Sequence, residues 1–327
     1  MKNTPCISVL TIVYNGERYI EEAIDSILNQ TYKEFEYIIV DNNSTDKTPE
    51  ILESYAKKDK RIKIISEKRQ GIRYARNTGL NFSRGKWIAV LDSDDIAMPD
   101  RIKLQLDYAE KNPGVVLIGS GCIMIDEFGK HMKTYNYPAA HDLLVKHLEN
   151  HQAFFPHSSA FVNKVKVGKV GGYRFSQAED YDLWLRLSLY GDIACMKEPL
   201  VKLRRYVYSN SYNINQKYYI LFKVVPLICH LRRKEGLSDP ADSEDSAWNN
   251  FLEWTNKRME NLNCFKKAEA MRELNRIRYS RANNRLYRYY LILLQMLSDR
   301  STISALLEPS YLRNIAERLT IESKSLF

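Results

Sequence analysis

Four short apolar runs in the first third of this chain alternate with segments of helical spacing, and that order leaves few folds open. Ile7–Val13, Phe35–Val40, Arg61–Ile65 and Trp87–Leu91 have strand length. Between the first two, Ile20, Ala23, Ile24, Ile27 and Leu28 recur at helical spacing. Thr48-Pro49-Glu50 opens a second helix with Pro at its first position, and Gly71–Phe82 reads as a third. Strands alternating with helices imply βαβ units with parallel strands, joined right-handedly. In such sheets ligands bind beyond the carboxyl ends of the strands. Polar clusters stand at three of those ends: Tyr14-Asn15-Gly16, Asp41-Asn42-Asn43-Ser44 and Asp92–Asp95.

The last cluster is the sharpest. Trp87-Ile88-Ala89-Val90-Leu91 stops at Asp92-Ser93-Asp94-Asp95, three carboxylates within four residues. Carboxylates repel one another and resist burial, so a fold seldom gathers them for stability. A divalent cation bridging to phosphate oxygens would neutralise them, and Mg²⁺ and Mn²⁺ favour carboxylate oxygen. The plainer reading is a solvated acidic turn that caps the next helix.

Further along, Pro99–Ala109 reads as a helix and Val115–Ile118 as a short buried strand. Ile123–Tyr137 suits a hairpin or loop excursion, and Ser158–Val162 a strand. Tyr181–Leu189 has helical spacing, with Trp184, Leu185 and Leu187 towards its buried side, and Ala194–Val207 is extended. After Tyr212 the pattern becomes helix-like and rich in Tyr, Arg and Leu.

A chain of 327 residues can bury a substantial core in one large domain with an extension, or in two domains. The five cysteines (Cys6, Cys122, Cys195, Cys229, Cys264) are scattered and form no CxxC, which argues against a disulfide scaffold or zinc site and suits a reducing cytosol. The N-terminal apolar run lacks a cleavage-site pattern, and no run approaches the roughly 18 apolar residues of a membrane span. The net charge of +9 lies wholly in residues 201–327, which hold 22 Lys and Arg against 13 Asp and Glu; residues 1–200 carry 27 of each. A basic extension of that kind suits an anionic partner, lipid or nucleic acid. No nucleic-acid-binding signature accompanies the charge, so nucleic acid is not the expected partner.

The phrases SVLTIVYNGERYIEEAIDSILNQTY, EFEYIIVDNNSTDKT, GIRYARNTGL, WIAVLDSDDIAMPDRI and AEDYDLWLRL, in this order over residues 6–207, resemble family-2 glycosyltransferases of the GT-A fold. The resemblance implies a Rossmann-like, mostly parallel sheet flanked by helices, with a C-terminal helical extension. It implies a catalytic domain over residues 1–211, with a nucleotide-sugar half to residue 98 and an acceptor half from residue 99. Residues 212–327 would form the basic helical region. The implied reaction is inverting transfer of a hexosyl or N-acetylhexosaminyl group from a nucleoside diphosphate, expected to be UDP, to an acceptor hydroxyl, with Mn²⁺ or Mg²⁺.

Carried over residue by residue, the resemblance places Thr11, Val13, Asn15, Glu17, Asp41, Arg73, Asp92 and Ser93 at the nucleotide. It gives Asp94, with Asp92, to the metal, and makes Asp180 the catalytic base. It sets His157, Glu179 and Trp184 near the acceptor or donor sugar. The physical chemistry agrees: in-line attack needs a stabilised diphosphate leaving group and one carboxylate to take the acceptor's proton. Each residue also has a plainer role. Asp41 could cap a turn, Glu179 and Asp180 could favour a helix N-terminus, Arg73 and Arg76 could be solvated helix charges, and a lone His157 is most often structural.

One departure stands out. Many relatives follow the last core strand with Arg-x-His, whose imidazole completes the metal site. Here the text is Arg204-Arg205-Tyr206-Val207-Tyr208. Arg204 or Arg205 could neutralise diphosphate directly. In the extension, apolar residues from Tyr219 to Leu231 precede Arg232-Arg233-Lys234, and Arg285-Leu286-Tyr287-Arg288 precedes Tyr289–Leu297. These suit either docking on an anionic membrane surface or a helical subdomain that packs on the core or forms a homodimer. The expectation is a cytoplasmic enzyme, peripheral on the inner membrane face, that builds bacterial surface polysaccharide on a carbohydrate or lipid-linked saccharide acceptor. The competing classes are a silent nucleotide-sugar-binding scaffold and a nucleotidyltransferase; the latter needs a Gly-rich triphosphate loop that Tyr14-Asn15-Gly16-Glu17-Arg18 is not.

Overall fold

The alternating first third folds as β1 (Ile7–Val13), α1 (Ile20–Leu28), β2 (Phe35–Asp41), α2 (Thr48–Lys58), β3 (Ile62–Ser66), α3 (Ile72–Phe82) and β4 (Trp87–Val90). The structure is a computed structural model that describes residues 6–152, 154–206, 216–262, 264–265 and 311–325. β1 pairs in parallel with β2 on one side and β4 on the other, and β3 extends the sheet beyond β2. The register sets Val13 opposite Asp41 and Leu10 opposite Val90, so the polar strand ends come out at one edge. β1, β2 and β4 are buried almost throughout, as expected for parallel strands covered on both faces. α1 contributes the buried stripe Ile20, Ala23, Ile24 and Ile27. α3 packs so close to β1 that a Cβ on Gly79 would lie 2.2 Å from Leu10 Cδ1, which only glycine avoids.

Beyond β4 come β5 (Ile96–Ala97), α4 (Arg101–Lys111), β6 (Val115–Ile125), β7 (His131–Tyr135) and α5 (His141–Glu149). A 3-10 turn, His157–Ser159, leads into β8 (Phe161–Asn163), α6 (Lys164–Lys169), α7 (Glu179–Leu187) and β9 (Asp192–Arg204). The sheet order is β3-β2-β1-β4-β8-β6-β9-β5, with β7 on β6. β8 runs antiparallel between β4 and β6, while β6 and β9 are parallel. Six strands therefore share a direction and β5, β7 and β8 oppose it. This is the mostly parallel, helix-flanked sheet that the resemblance implied, with three antiparallel strands added.

Two expectations need adjusting. The strand expected to stop at Ile118 runs on to Ile125, because β9 supplies a partner across Gly119–Gly121 through register shifts. The strand expected from Ser158 splits into the 3-10 turn and a three-residue β8. β5, α5 and α6 carry no signal that was read from the sequence.

By internal contacts the chain divides into two units, Met1–Leu148 with Ala153–Tyr212, and Glu149–Gln152 with Asn213–Phe327. In the second, α8 (Gln216–Lys234) packs with α9 (Asp245–Asn261) and α10 (Tyr311–Glu322). Leu221, Val224, Val225, Leu227 and Ile228 of α8 are buried. Its basic end is internally paired. Arg232 donates to the Ser238 and Ser323 carbonyls, Arg233 pairs with Asp239, and Lys234 meets Glu149 at 2.8 Å. Glu149 also receives His230 Nε2 at 3.1 Å; that bond, with Lys234 and against the effect of burial, holds its carboxyl down at about 2. Arg285–Leu297 lies outside the described residues. Among the described residues no helix is long and apolar enough to cross a membrane.

Candidate active site

The acidic strand end sits where β4, α3, α7, the 3-10 turn and β9 converge. Asp92 follows β4, and its N–H donates to Ser158 Oγ at 3.2 Å. Its carboxylate meets Arg76 of α3 at 3.5 Å and His157 Nδ1 at 3.4 Å. Arg76 is 6% exposed and also grips Glu179 at the start of α7. His157 Nε2 bonds the Tyr173 hydroxyl at 2.9 Å, and its ring stacks on Trp184, centroids 5.8 Å apart. Burial opposes charge on Asp92, but His157 and Arg76 outweigh it and hold the carboxyl below its usual range. Burial, with Arg76 alongside, lowers the His157 pKa and keeps the imidazole neutral at pH 7. Burial pushes the Glu179 carboxyl up to about 7 in spite of Arg76.

Asp94 behaves in the opposite way. Burial and the charge of Asp92 raise its pKa, and the Tyr206 hydroxyl, hydrogen-bonded to it, only partly offsets them. Asp95 is buried and its pKa is raised well above normal by burial and by its acidic neighbours. It accepts from Ser158 Oγ and, at 2.8 Å, from the Arg204 N–H at the end of β9. The Arg204 guanidinium is fully engaged: the Asp94 carbonyl at 3.0 Å, the Glu127 carbonyl at 3.1 Å and Glu22 at 2.9 Å. It also lies 4.3 Å above the Tyr19 ring, against which Tyr206 packs at 5.2 Å. Arg204 is thus a clamp that seats β9 on the acidic turn, whereas Arg205 is exposed.

α7 begins after Ala178, whose left-handed backbone (φ 51°) turns the chain sharply into the helix. Its first turn holds Glu179, Asp180 and Asp182, and the helix N-terminus favours such charge. Asp182 is 1% exposed and locked between Arg174 and Arg186, both at 2.5 Å. Glu179 is held by Arg76. Asp180 is half-buried and, among the described residues, has no ion pair.

The strand-end loops are tied to one another. Asn15 Oδ1 accepts from Thr45 N–H at 2.8 Å, and Glu17 Oε2 from Lys47 N–H at 3.0 Å. Asp41 accepts from Ser44 N–H at 3.1 Å. Gly16 is pressed against Val13, whose Cγ2 would be 2.5 Å from an added Cβ, with Ser93 Oγ 3.8 Å away. That close approach brings the β1 and β4 ends together. Thr11 is fully buried and its hydroxyl pairs with Tyr37 at 3.0 Å, so its side chain belongs to the core. Arg73 donates to the Arg174 carbonyl at 3.1 Å and to Tyr74 at 2.6 Å. Trp184 is 1% exposed and backs His157; its indole N–H has no partner among the described residues.

The structure thus brings Asp92, Asp94, His157, Glu179, Asp180, Trp184 and Arg204 into one region and leaves Thr11 apart. It also corrects the reading of Arg76 as a solvated charge. Arg76 shares the buried stripe of α3 with Ala75, Gly79 and Leu80, and that helical spacing was visible in the sequence. Tyr173, Ser158, Tyr19 and Tyr206 join the site through contacts distant in sequence, which no local pattern announces.

A mixed, mostly parallel sheet with polar and acidic turns at its parallel strand ends places a ligand site at that edge. The model of glycosyl transferase family 2 matches residues 8–171, and the chain belongs to that family. It is therefore a glycosyltransferase. An uncharacterized glycosyltransferase of Haemophilus influenzae is 35% identical over 66% of this chain and 72% of its own length. The O-antigen biosynthesis glycosyltransferase WbnJ of Escherichia coli is 34% identical over 55% of this chain and 71% of its own. Longer relatives are spanned to a smaller share of their length. Among solved structures, S. aureus TarS 1–349 in complex with UDP-GlcNAc superimposes over 97% of this chain and 92% of its own with a TM-score of 0.60. At 15% identity that likeness shows the GT-A fold.

Proposed function

We propose that this chain transfers a sugar, with inversion, from a nucleoside-diphosphate donor to an acceptor hydroxyl. The observation that carries the reading is the contrast between Asp92 and Asp94. The Arg76 guanidinium and a hydrogen bond from His157 compensate Asp92, whereas Asp94 beside it is left at a raised proton affinity. A carboxylate in that state gains from a cation, and Mg²⁺ or Mn²⁺ fits its hard oxygens. Among the described residues no group of three or more His, Cys, Asp or Glu forms a complete cage. The cation of this reading would be held by one or two carboxylates and finished by substrate phosphate and water. Asp94, with Asp92, would hold it, and bound there it supplies charge stabilisation to the departing diphosphate.

The chain's own residues account for the rest. The strand-end loops that carry Asn15, Glu17, Asp41 and Ser93, with Arg73 in the first turn of α3 and Val13 at the end of β1, form the nucleotide side. Asp180 takes the hydroxyl proton as the acceptor oxygen bonds to the anomeric carbon and the carbon–oxygen bond to diphosphate breaks. Glu179 and Asp182 are occupied by arginines, which leaves Asp180 as the carboxylate of that turn open to an acceptor. His157, neutral and fixed between Asp92 and Tyr173, positions Asp92 and backs the sugar. Arg205 is the exposed cation at this edge for diphosphate. UDP is the donor base favoured by the resemblance and by the ligand of TarS. The O-antigen role of WbnJ favours surface polysaccharide assembly, on a saccharide that is free or lipid-linked.

A panel of nucleotide sugars with Mg²⁺ or Mn²⁺, read by nucleoside-diphosphate release, tests this reading. Release from at least one donor that stops with chelator is expected. Release from none, by protein that still binds nucleotide, would mark a silent scaffold.

A further inference from the structure

β7 is an edge strand, paired with β6 alone among the described residues, and the β6–β7 turn projects from that edge. Phe128 at its tip is 82% exposed and Met132 54%. One exposed hairpin thus presents two large apolar side chains to its surroundings. The turn itself is well made. Asp126 accepts from the N–H groups of Phe128 at 3.0 Å and Lys130 at 2.9 Å, and its own N–H meets the Lys130 carbonyl at 3.0 Å. Phe128 is therefore held outward by an ordered turn.

The charges around it are lopsided. Of the two acids in the turn, Asp126 is occupied by backbone N–H groups and Glu127 by Arg18 at 2.7 Å. Lys130, Lys133 and Arg205 are exposed and, among the described residues, without an ion pair. Arg205 sits at the hairpin's base, where its N–H donates to the Ile125 carbonyl at 2.9 Å. By contrast, the Arg232-Arg233-Lys234 run that suggested a membrane flank is paired internally. The hairpin is also coupled to the acidic turn, because Arg204 bonds both the Glu127 and the Asp94 carbonyls.

We propose that the β6–β7 turn docks this chain on an anionic lipid bilayer. Phe128 and Met132 enter the headgroup layer, and Lys130 and Lys133 meet lipid phosphates. An aromatic tip ringed by cations is the chemistry that an anionic interface selects, since apolar insertion and phosphate attraction add. Docking there sets the acidic turn beside the membrane surface, within reach of an acceptor whose anchor lies in the lipid. The inference concerns where the chain sits and stands apart from which donor it uses.

Co-sedimentation of the full chain with vesicles of phosphatidylcholine, with and without phosphatidylglycerol, tests it. Binding is expected only to the anionic vesicles and should weaken with salt. Phe128→Asp should lower the partition coefficient about tenfold or more, and Lys130→Glu with Lys133→Glu by a similar factor. Circular dichroism and melting temperature should match the parent in both, which reports that they fold. No binding to anionic vesicles, or binding that neither variant alters, overturns the proposal. So does sedimentation velocity without lipid in which Phe128→Asp turns a dimer into a monomer, since the turn would then face a second copy.

Discussion

Asp92 and Asp94 stand two residues apart on one turn, yet the fold treats them as opposites. Asp92 faces an inner set of groups, Arg76, His157 and Ser158, that holds it ionised. Asp94 belongs to an outer set, with Tyr206 and the exposed rim, and its charge is left largely uncompensated. Two carboxylates that both had to stay ionised could each have been given an arginine. The asymmetry separates scaffold from chemistry. The inner set is satisfied within the protein and joins α3, β4 and α7, whereas the outer set, in the proposed reading, is completed by a cation and substrate phosphate. Substitutions in the two sets should therefore fail in different ways: inner ones in stability, outer ones in turnover.

The largest expected effect lies at Asp180, which like Asp94 has no ion pair among the described residues and so goes with the outer set. Asp180→Asn should lower turnover by about 10²–10⁴-fold, the usual contribution of a general base, with donor affinity and melting temperature unchanged. Normal turnover in that variant would move the base elsewhere and blur the division. Next comes the inner set. Arg76→Met leaves Glu179 and Asp92 without their shared cation and should cost about 3–5 kcal/mol of unfolding free energy, as breaking a buried ion pair does. A denaturant melt within about 1 kcal/mol of the parent would show that the inner set is not structural. Asp94→Ala, in the outer set, should weaken cation-dependent donor binding by about 10²-fold, with the affinity read by calorimetry in Mg²⁺ and in chelator. An unaltered dependence on Mg²⁺ would remove Asp94 from the cation.

Legibility in the sequence follows the same geography. The parallel half of the sheet could be read because β1, β2 and β4 are buried almost throughout, so each appears as a mainly apolar run with a polar stop. β6 hides its length behind Gly119-Ser120-Gly121, and β8 and β5, at three and two residues, are too short for any period to show. The carboxylates announce themselves because an apolar strand end gives them no ordinary reason to cluster. Arg76 was legible in principle through its spacing with Ala75, Gly79 and Leu80, but its charge invites a solvated reading. The Arg204 clamp joins residues 110 apart and left no trace in local pattern. The same holds for the Tyr206 contact with Asp94.

The smallest effect is the most direct break of the comparison, because it depends on sign alone. In chelator, Asp92→Asn should lower the melting temperature and Asp94→Asn should raise it. A carboxyl whose folded pKa is depressed adds stability when ionised, above its unfolded pKa near 4, and loses that stability as pH falls. Asp92 is such a group, so removing its charge at pH 7 is unfavourable. A carboxyl whose folded pKa is raised costs stability when ionised, and Asp94 is of that kind, so removing its charge at pH 7 is favourable. Each shift should be a few degrees, since about 1 kcal/mol moves the melting point of a domain of this size by about 2–4 °C. The gain from Asp94→Asn should fade as pH drops below the raised pKa, because the parent then carries a proton there too. Saturating Mg²⁺ with nucleotide should reverse the order by stabilising the parent and not the Asp94 variant. Equal signs for the two variants in chelator would mean that the fold does not distinguish its two carboxylates.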